Sequence, residues 1–377
     1  MPNLVINGKD RSNIPMKALP LYVWCLPLLL LTTISGSVLG QQPKPFNDIP
    51  GFASINFVDY LPEKLLQERT AVFVRMPAQT DGFNSRQPWQ KFAQKAHRGL
   101  RQIGVDCIAW YYADDILSGT DATQTFTKYL AKRNVRYMLF LQSSPKGVEA
   151  IVTGFNKTGN FIKEGQRAWY GSSNSIDNLL REIYRIAVQE GLQRNNILIN
   201  DFPEYYSASK VIKGRRFEEY LSDLKIDKLA IPVTDPTALN GARLDSSKAH
   251  PTDLALLRTL HDYPFEYGLV DYNIGEKAIW DAGYQYVLMR LNTTGKTIKQ
   301  MLDYNIEESE TEYITEVFEP AGSTIRTIPV EAPVYKYYIK HLYTGDVYLG
   351  SGWEADVTWT KALNNHITNM RAALKIN

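Results

Sequence analysis

The residues best placed to do chemistry are acidic groups that follow apolar runs. Asp114 and Asp115 come just after Tyr111 and Tyr112. Asp201 and Glu204 come just after Ile197-Leu198-Ile199 and lead into Tyr205 and Tyr206. Carboxylates grouped in this way can hold a hard cation or exchange protons. In α/β sheets, ligands gather beyond the carboxyl ends of strands. Asp and Glu in such loops also cap helices and keep the surface hydrated, and that structural role is the preferred one. These six residues are therefore a candidate ligand surface. No catalytic, cofactor-binding or metal-ligating role is assigned to any residue.

Other chemical signatures fail on spacing. Asn292-Thr293-Thr294-Gly295-Lys296-Thr297 looks like part of a phosphate loop, but Arg290 stands where the motif needs its first glycine. One glycine does not supply a nest of backbone amides. The nucleophile elbow Gly-x-Ser-x-Gly does not occur. His97, His250, His261, His341 and His366 are scattered, without metal-ligand spacing. Cys107 lies in the apolar run Val105-Asp106-Cys107-Ile108-Ala109, and such a cysteine behaves as a small buried hydrophobe.

Charge adds a further exclusion. The chain has 377 residues and a formal charge of +2. Setting aside Lys9, Arg11, Lys17 and Asp10 in the first forty residues leaves basic and acidic residues equal in number. A nucleic-acid binder carries a basic surplus or stripe, so nucleic acid is not expected as a partner. The 23 tyrosines suit a strand-rich protein.

The first forty residues read as an export signal. Lys17 opens a short basic region, Ala18–Leu31 is almost wholly apolar, and small residues lead to Gly40. Cleavage is expected after Gly40. The apolar core is shorter than the roughly 20 residues of a membrane span, and Pro20 and Pro27 interrupt it. Cys25 follows Trp24 in mid-segment, which does not fit a lipid-anchor site. Residues 1–15 do not resemble a leader, so a start at Met16 is kept open.

The elements that must position the acidic groups follow from periodicity. Residues 41–64 read as a linker, rich in proline. Strands are expected at 71–74, 105–111 and 135–141, with helices at 89–103 and 123–133 between them. Extended segments 147–154 and 161–169 flank the turn Thr158-Gly159-Asn160, and a helix follows at 175–189. The second half is expected to hold strands 197–199, 229–233, 267–270 and 284–291. Its helices are expected at 217–224, 252–260 and 277–282. Extended segments follow at 313–318, 324–329, 334–342 and 347–350, then a closing helix at 358–374. This gives α/β units at 65–192 and 193–377.

The halves repeat one another. Lys128…Tyr137-Met138-Leu139 matches Lys277…Tyr286-Val287-Leu288. Thr158-Gly159-Asn160 matches Thr344-Gly345-Asp346, and Trp169…Leu179…Ile183 matches Trp353…Leu363…Ile367. The fold expected is two related layered α/β units with mixed sheets, each ending in a Thr-Gly hairpin and an amphipathic helix.

This order resembles bacterial envelope domains of the TolB amino-terminal and curli-secretion-lipoprotein type. The segments that carry the resemblance are Ala131-Lys132-Arg133-Asn134-Val135-Arg136-Tyr137-Met138-Leu139 and Ile339–Gly350. It implies binding and assembly at the envelope and supplies no catalytic residues. The chain departs from it in lacking a lipid-anchor cysteine and a propeller. The function expected is that of an exported, non-enzymatic protein that binds a partner or organises an envelope assembly, without a cofactor and without a membrane span once the signal is removed. An exported hydrolase using the acidic residues and a membrane-anchored envelope component are the alternatives.

Overall fold

Apolar runs at period two and at period 3.6 alternate along the chain, and each folds as its period requires. A computed structural model describes residues 46, 52–77, 86, 88–157, 161–195, 198–206, 210–319 and 322–376. The expected leader, the tip Thr158-Gly159-Asn160 and Ile197 lie outside the described residues. The first half runs β1 (Asn56–Val58), β2 (Arg69–Arg75), α1 (Trp89–Ile103), β3 (Asp106–Tyr112), α2 (Ala113–Ile116), α3 (Thr120–Lys132), β4 (Val135–Ser144), β5 (Gly147–Gly154), β6 (Arg167–Ser173) and α4 (Ile176–Gln189). The second runs β7 (Arg216–Phe217), β8 (Leu229–Pro232), β9 (Leu239–Asn240), β10 (Arg243–Leu244), α5 (Pro251–Thr259), β11 (Tyr267–Val270), α6 (Glu276–Asp281), β12 (Tyr286–Thr294), α7 (Gly295–Met301), β13 (Glu312–Glu319), β14 (Gly322–Pro329), β15 (Pro333–His341), β16 (Val347–Tyr348) and α8 (Trp359–Ala373).

Each half builds one six-stranded mixed sheet, and the two sheets have the same topology. The first has the order β3-β2-β4-β5-β6-β1, the second β11-β8-β12-β15-β16-β7. Within each half this is third, second, fourth, fifth, sixth, first. The directions agree as well. β2 is parallel to β3 and β4, β5 is antiparallel to β4 and β6, and β6 is parallel to β1. β8 is parallel to β11 and β12, β15 is antiparallel to β12 and β16, and β16 is parallel to β7.

Helices cover both faces, which is why the strands are apolar throughout rather than alternating. Val72 and Val74 of β2 pack with Leu100 of α1 and Leu179 and Ile183 of α4. Ala71 and Phe73 point the other way, to Phe126 and Leu130 of α3. In the second sheet Leu229 and Ile231 face Leu256 of α5 and Leu363 and Ile367 of α8. Gly104 closes α1 at φ 105°, a left-handed value that glycine adopts without strain.

Two expectations are corrected. Residues 217–224 do not form a helix. Phe217 belongs to β7, whose ring stacks on Tyr348 at 5.0 Å, and only a single 3-10 turn follows at Ser222–Lys225. Tertiary pairing with β16 overrides the local helix preference. Leu198 and Ile199 are not in a strand. They lie in the segment that joins the two halves.

The halves meet where the α2–α3 junction docks on β12. The Asn292 amide donates to the Ser118 carbonyl at 2.7 Å. Gly119 lets the backbones approach this closely, since a Cβ there would stand 2.2 Å from the Arg290 carbonyl oxygen. No described helix is long and apolar enough to cross a membrane.

Candidate functional site

The structure separates the four candidate carboxylates into two groups and gives each carboxylate its own arginine. Asp114 and Asp115 follow the carboxyl end of β3 in the short helix α2. Arg75, at the end of β2, donates from Nε to Asp114 at 2.8 Å. Buried Asp115 is clamped by Arg86, whose Nη1 donates at 2.7 Å. It also accepts the Thr293 hydroxyl of the second half at 2.8 Å. Arg86 lies over the Tyr112 ring at 4.4 Å. These ion pairs and the Thr293 hydrogen bond brace the strand end and the seam.

Asp201, Glu204, Tyr205 and Tyr206 are brought together on the joining segment 198–206. Asp201 pairs with Arg101 of α1. Glu204 accepts from Arg133 at 2.8 Å and from the Tyr206 hydroxyl at 2.5 Å. These two hydrogen bonds hold the Glu204 carboxyl below its usual range. Tyr206 stacks on Tyr111 at 5.4 Å, and Tyr205 packs edge-on against Trp89.

The backbone of this segment is pinned along its length. The Trp110 amide donates to the Glu204 carbonyl at 2.9 Å, and the Tyr206 amide donates back to Trp110 at 3.1 Å. The segment thereby covers the edge of β3. His97 Nε2 meets the Asn200 carbonyl at 2.9 Å, and the Tyr205 hydroxyl donates to the Gln90 carbonyl at 2.8 Å. Burial lowers the His97 pKa, so the ring is neutral and donates through Nε2. On this fixed backbone Leu198 is 98 % exposed and Phe202 71 % exposed.

The phosphate-loop resemblance has a geometric answer. The Gly295 and Lys296 amides that would meet a phosphate donate to the Ala332 and Val330 carbonyls. Thr294 caps α7 by accepting the Thr297 amide.

Two buried charge networks were not anticipated from the sequence. Lys336, wholly buried on β15, donates to Glu354 at 2.5 Å and to the Leu349 carbonyl at 2.9 Å. His366 of α8 meets the same Glu354 oxygen through Nδ1 at 2.7 Å. Burial pushes the Glu354 carboxyl up, but Lys336 and His366 outweigh it and hold it below its usual range. Burial lowers the His366 pKa against the pull of Glu354, so its neutral ring carries the proton on Nδ1. In the second network Lys340 of β15 donates to Asp121 of α3 at 2.5 Å and to Glu276 of α6 at 2.8 Å. The Tyr338 hydroxyl donates to Asp121 and the Tyr272 hydroxyl to Glu276, each at 2.8 Å.

The sequence signal for both networks was Lys336 and Lys340, four apart on β15 and so on one side of the strand with Val334 and Tyr338. In a sheet covered on both faces, neither side of a central strand meets water. Among the described residues no three side chains of metal-ligating type stand together. No protein-family model, curated protein or solved structure matches the chain.

Proposed function

We propose that this is an exported, non-enzymatic protein that binds a partner protein through segment 198–206 and so takes part in an envelope assembly. One observation carries the binding surface. Leu198 and Phe202 are large apolar side chains held out in solvent by a backbone that is itself fixed at Asn200, Glu204 and Tyr206. A rigid apolar pair rimmed by arginine–carboxylate pairs has the composition of an interface, with the anchor residues central and the charges peripheral. The export half of the reading rests on the leader, and the assembly half on the order of elements along the chain.

Recovery of partners from the protein's own envelope fraction tests this. Phe202→Asp and Leu198→Asp are expected to leave stability within about 0.5 kcal/mol, because both side chains are already in water. Each is expected to reduce recovery of a specific partner at least roughly tenfold, a 1.4 kcal/mol change. Equal recovery by wild type and both variants would sink the surface. Mass spectrometry of the protein from that fraction should find Gln41 as its first residue, and an intact leader would remove the export reading.

A further inference from the structure

We propose that the outer edge of β14 is a docking strand for an extended, basic segment of a partner protein.

The argument begins with the repeated topology. In the first half the fourth and fifth strands, β4 and β5, are joined by the tight turn at Pro145-Lys146. In the second half the same pair, β12 and β15, is separated by residues 295–332. A scaffold that is repeated strand for strand and then enlarged in one copy places the new feature where that copy has acquired a task. The enlargement is α7 followed by the β13–β14 hairpin.

One edge of this ribbon is anchored and the other is free. On the β13 side the Glu316 amide donates to the Trp353 carbonyl at 3.0 Å. Asn369 of α8 accepts the Phe318 amide at 2.7 Å and donates to the Glu316 carbonyl at 2.8 Å. Thr315 donates to the Ala355 carbonyl at 2.6 Å. Among the described residues no strand pairs with the outer edge of β14. Gly322 to Thr327 are all exposed. Register places Ile314 opposite Thr327 and Glu316 opposite Ile325, so Ile314 and Ile325 share one face, 59 % and 63 % exposed. An open edge of β-branched residues with neighbouring apolar side chains is the receptor geometry for an added strand. A two-stranded ribbon is also only marginally stable, and a third strand reinforces it.

Charge selects the occupant. Glu307, Glu308, Glu310, Glu312, Glu316 and Glu319 lie on the ribbon and its approach, and among the described residues none of them forms an ion pair. The ribbon's one basic residue, Arg326, is already paired with Asp356 at 3.0 Å. A second copy of this chain would add another acidic ribbon, with its glutamates on β13 and its approach, and no basic residue beyond the paired Arg326 to meet those already present. A lysine- or arginine-rich strand meets complementary charge, because its basic residues on the exposed face stand beside Ile325 and look across β14 to Glu316.

The test uses the full chain and a labelled peptide that alternates lysine and valine. Fluorescence anisotropy should show binding that weakens as salt is raised. The same peptide with glutamate for lysine should not bind, nor should a version N-methylated on alternate residues, which cannot pair with a strand edge. Ile325→Lys/Thr327→Lys, at two exposed positions, should weaken binding at least roughly tenfold. Phe202→Asp, on the joining segment, should leave it unchanged. Equal binding of the acidic or N-methylated peptide, or no effect of Ile325→Lys/Thr327→Lys, would overturn the proposal. So would a dimer in sedimentation equilibrium that Ile325→Lys abolishes, which would make a second copy the occupant.

Discussion

Glu354→Gln is expected to destabilise the protein by about 3–5 kcal/mol, because it strands the Lys336 ammonium in the core without a counter-ion. Lys336 is wholly buried and Glu354 is 1 % exposed, so no rotamer brings either to water. The Leu349 carbonyl remains as a neutral acceptor for Lys336 at 2.9 Å, which does not replace a charge. Lys336→Met/Glu354→Gln removes both charges and keeps an oxygen for His366. It is expected to cost less than Glu354→Gln alone, with a coupling of about 1–3 kcal/mol between the two sites. Urea unfolding midpoints with unchanged m-values measure both. A single substitution costing under about 1 kcal/mol would show that the cluster is hydrated rather than sealed.

The same cluster sets an acid limit. His366 has a folded pKa below the ordinary imidazole value of 6.5, and Glu354 one below the ordinary 4.5. For a depressed pKa the folded state binds fewer protons than the unfolded chain, so the stability is present above the unfolded value and lost as pH falls through the folded one. The loss from His366 begins near 6.5 and that from Glu354 near 4.5. A proton on His366 would join Lys336 as a second positive charge facing one carboxylate, beside the Tyr220 and Tyr337 rings. His366→Gln, which can still donate to Glu354, should flatten the decline of the urea midpoint between those two values.

How far the sequence could be read follows from what each residue reports. Helix 89–103 was legible because Ala93, Ala96, Leu100 and Ile103 mark one face and Gly104 ends it. The repeat was legible at Tyr137-Met138-Leu139 and Tyr286-Val287-Leu288, which occupy the equivalent strands β4 and β12. It was also legible at Leu179 and Ile183 against Leu363 and Ile367, buried in the closing helices. The tryptophan match fails in detail, since Trp169 lies within β6 and Trp353 beyond β16. Short strands were not legible. β7 has two residues and exists only because β16 pairs with it. Of the candidate surface, the acidic residues were visible but their arginine partners were not. Arg101 and Arg133 come from distant helix positions that a periodic pattern assigns to solvent. The buried lysines were not legible for the same reason, because a sequence does not show that both faces of a strand are covered.

Lys340→Met is the second large effect, and it separates the roles of the two networks. The Lys336 cluster lies within the second half, whereas Lys340 ties β15 to Asp121 at the start of α3 in the first. Burial would pull the Lys340 ammonium down, but Asp121 and Glu276 outweigh it and hold it above its ordinary range. Removing it leaves Asp121, 3 % exposed, with the Tyr338 hydroxyl as its hydrogen-bond partner among the described residues and the Lys213 charge acting only at longer range. An uncompensated buried carboxylate costs about 3–5 kcal/mol. Asp121→Asn should cost less, because Lys340 keeps Glu276 at 2.8 Å. The cost falls on the seam, so the halves should lose cooperativity before either sheet unfolds. Urea unfolding followed at Trp110 in the first half and at Trp353 in the second is expected to give one transition in the wild type and two separated midpoints in Lys340→Met. Coincident midpoints in Lys340→Met would mean that Gly119 and the Ser118–Asn292 contact hold the halves together without the charge.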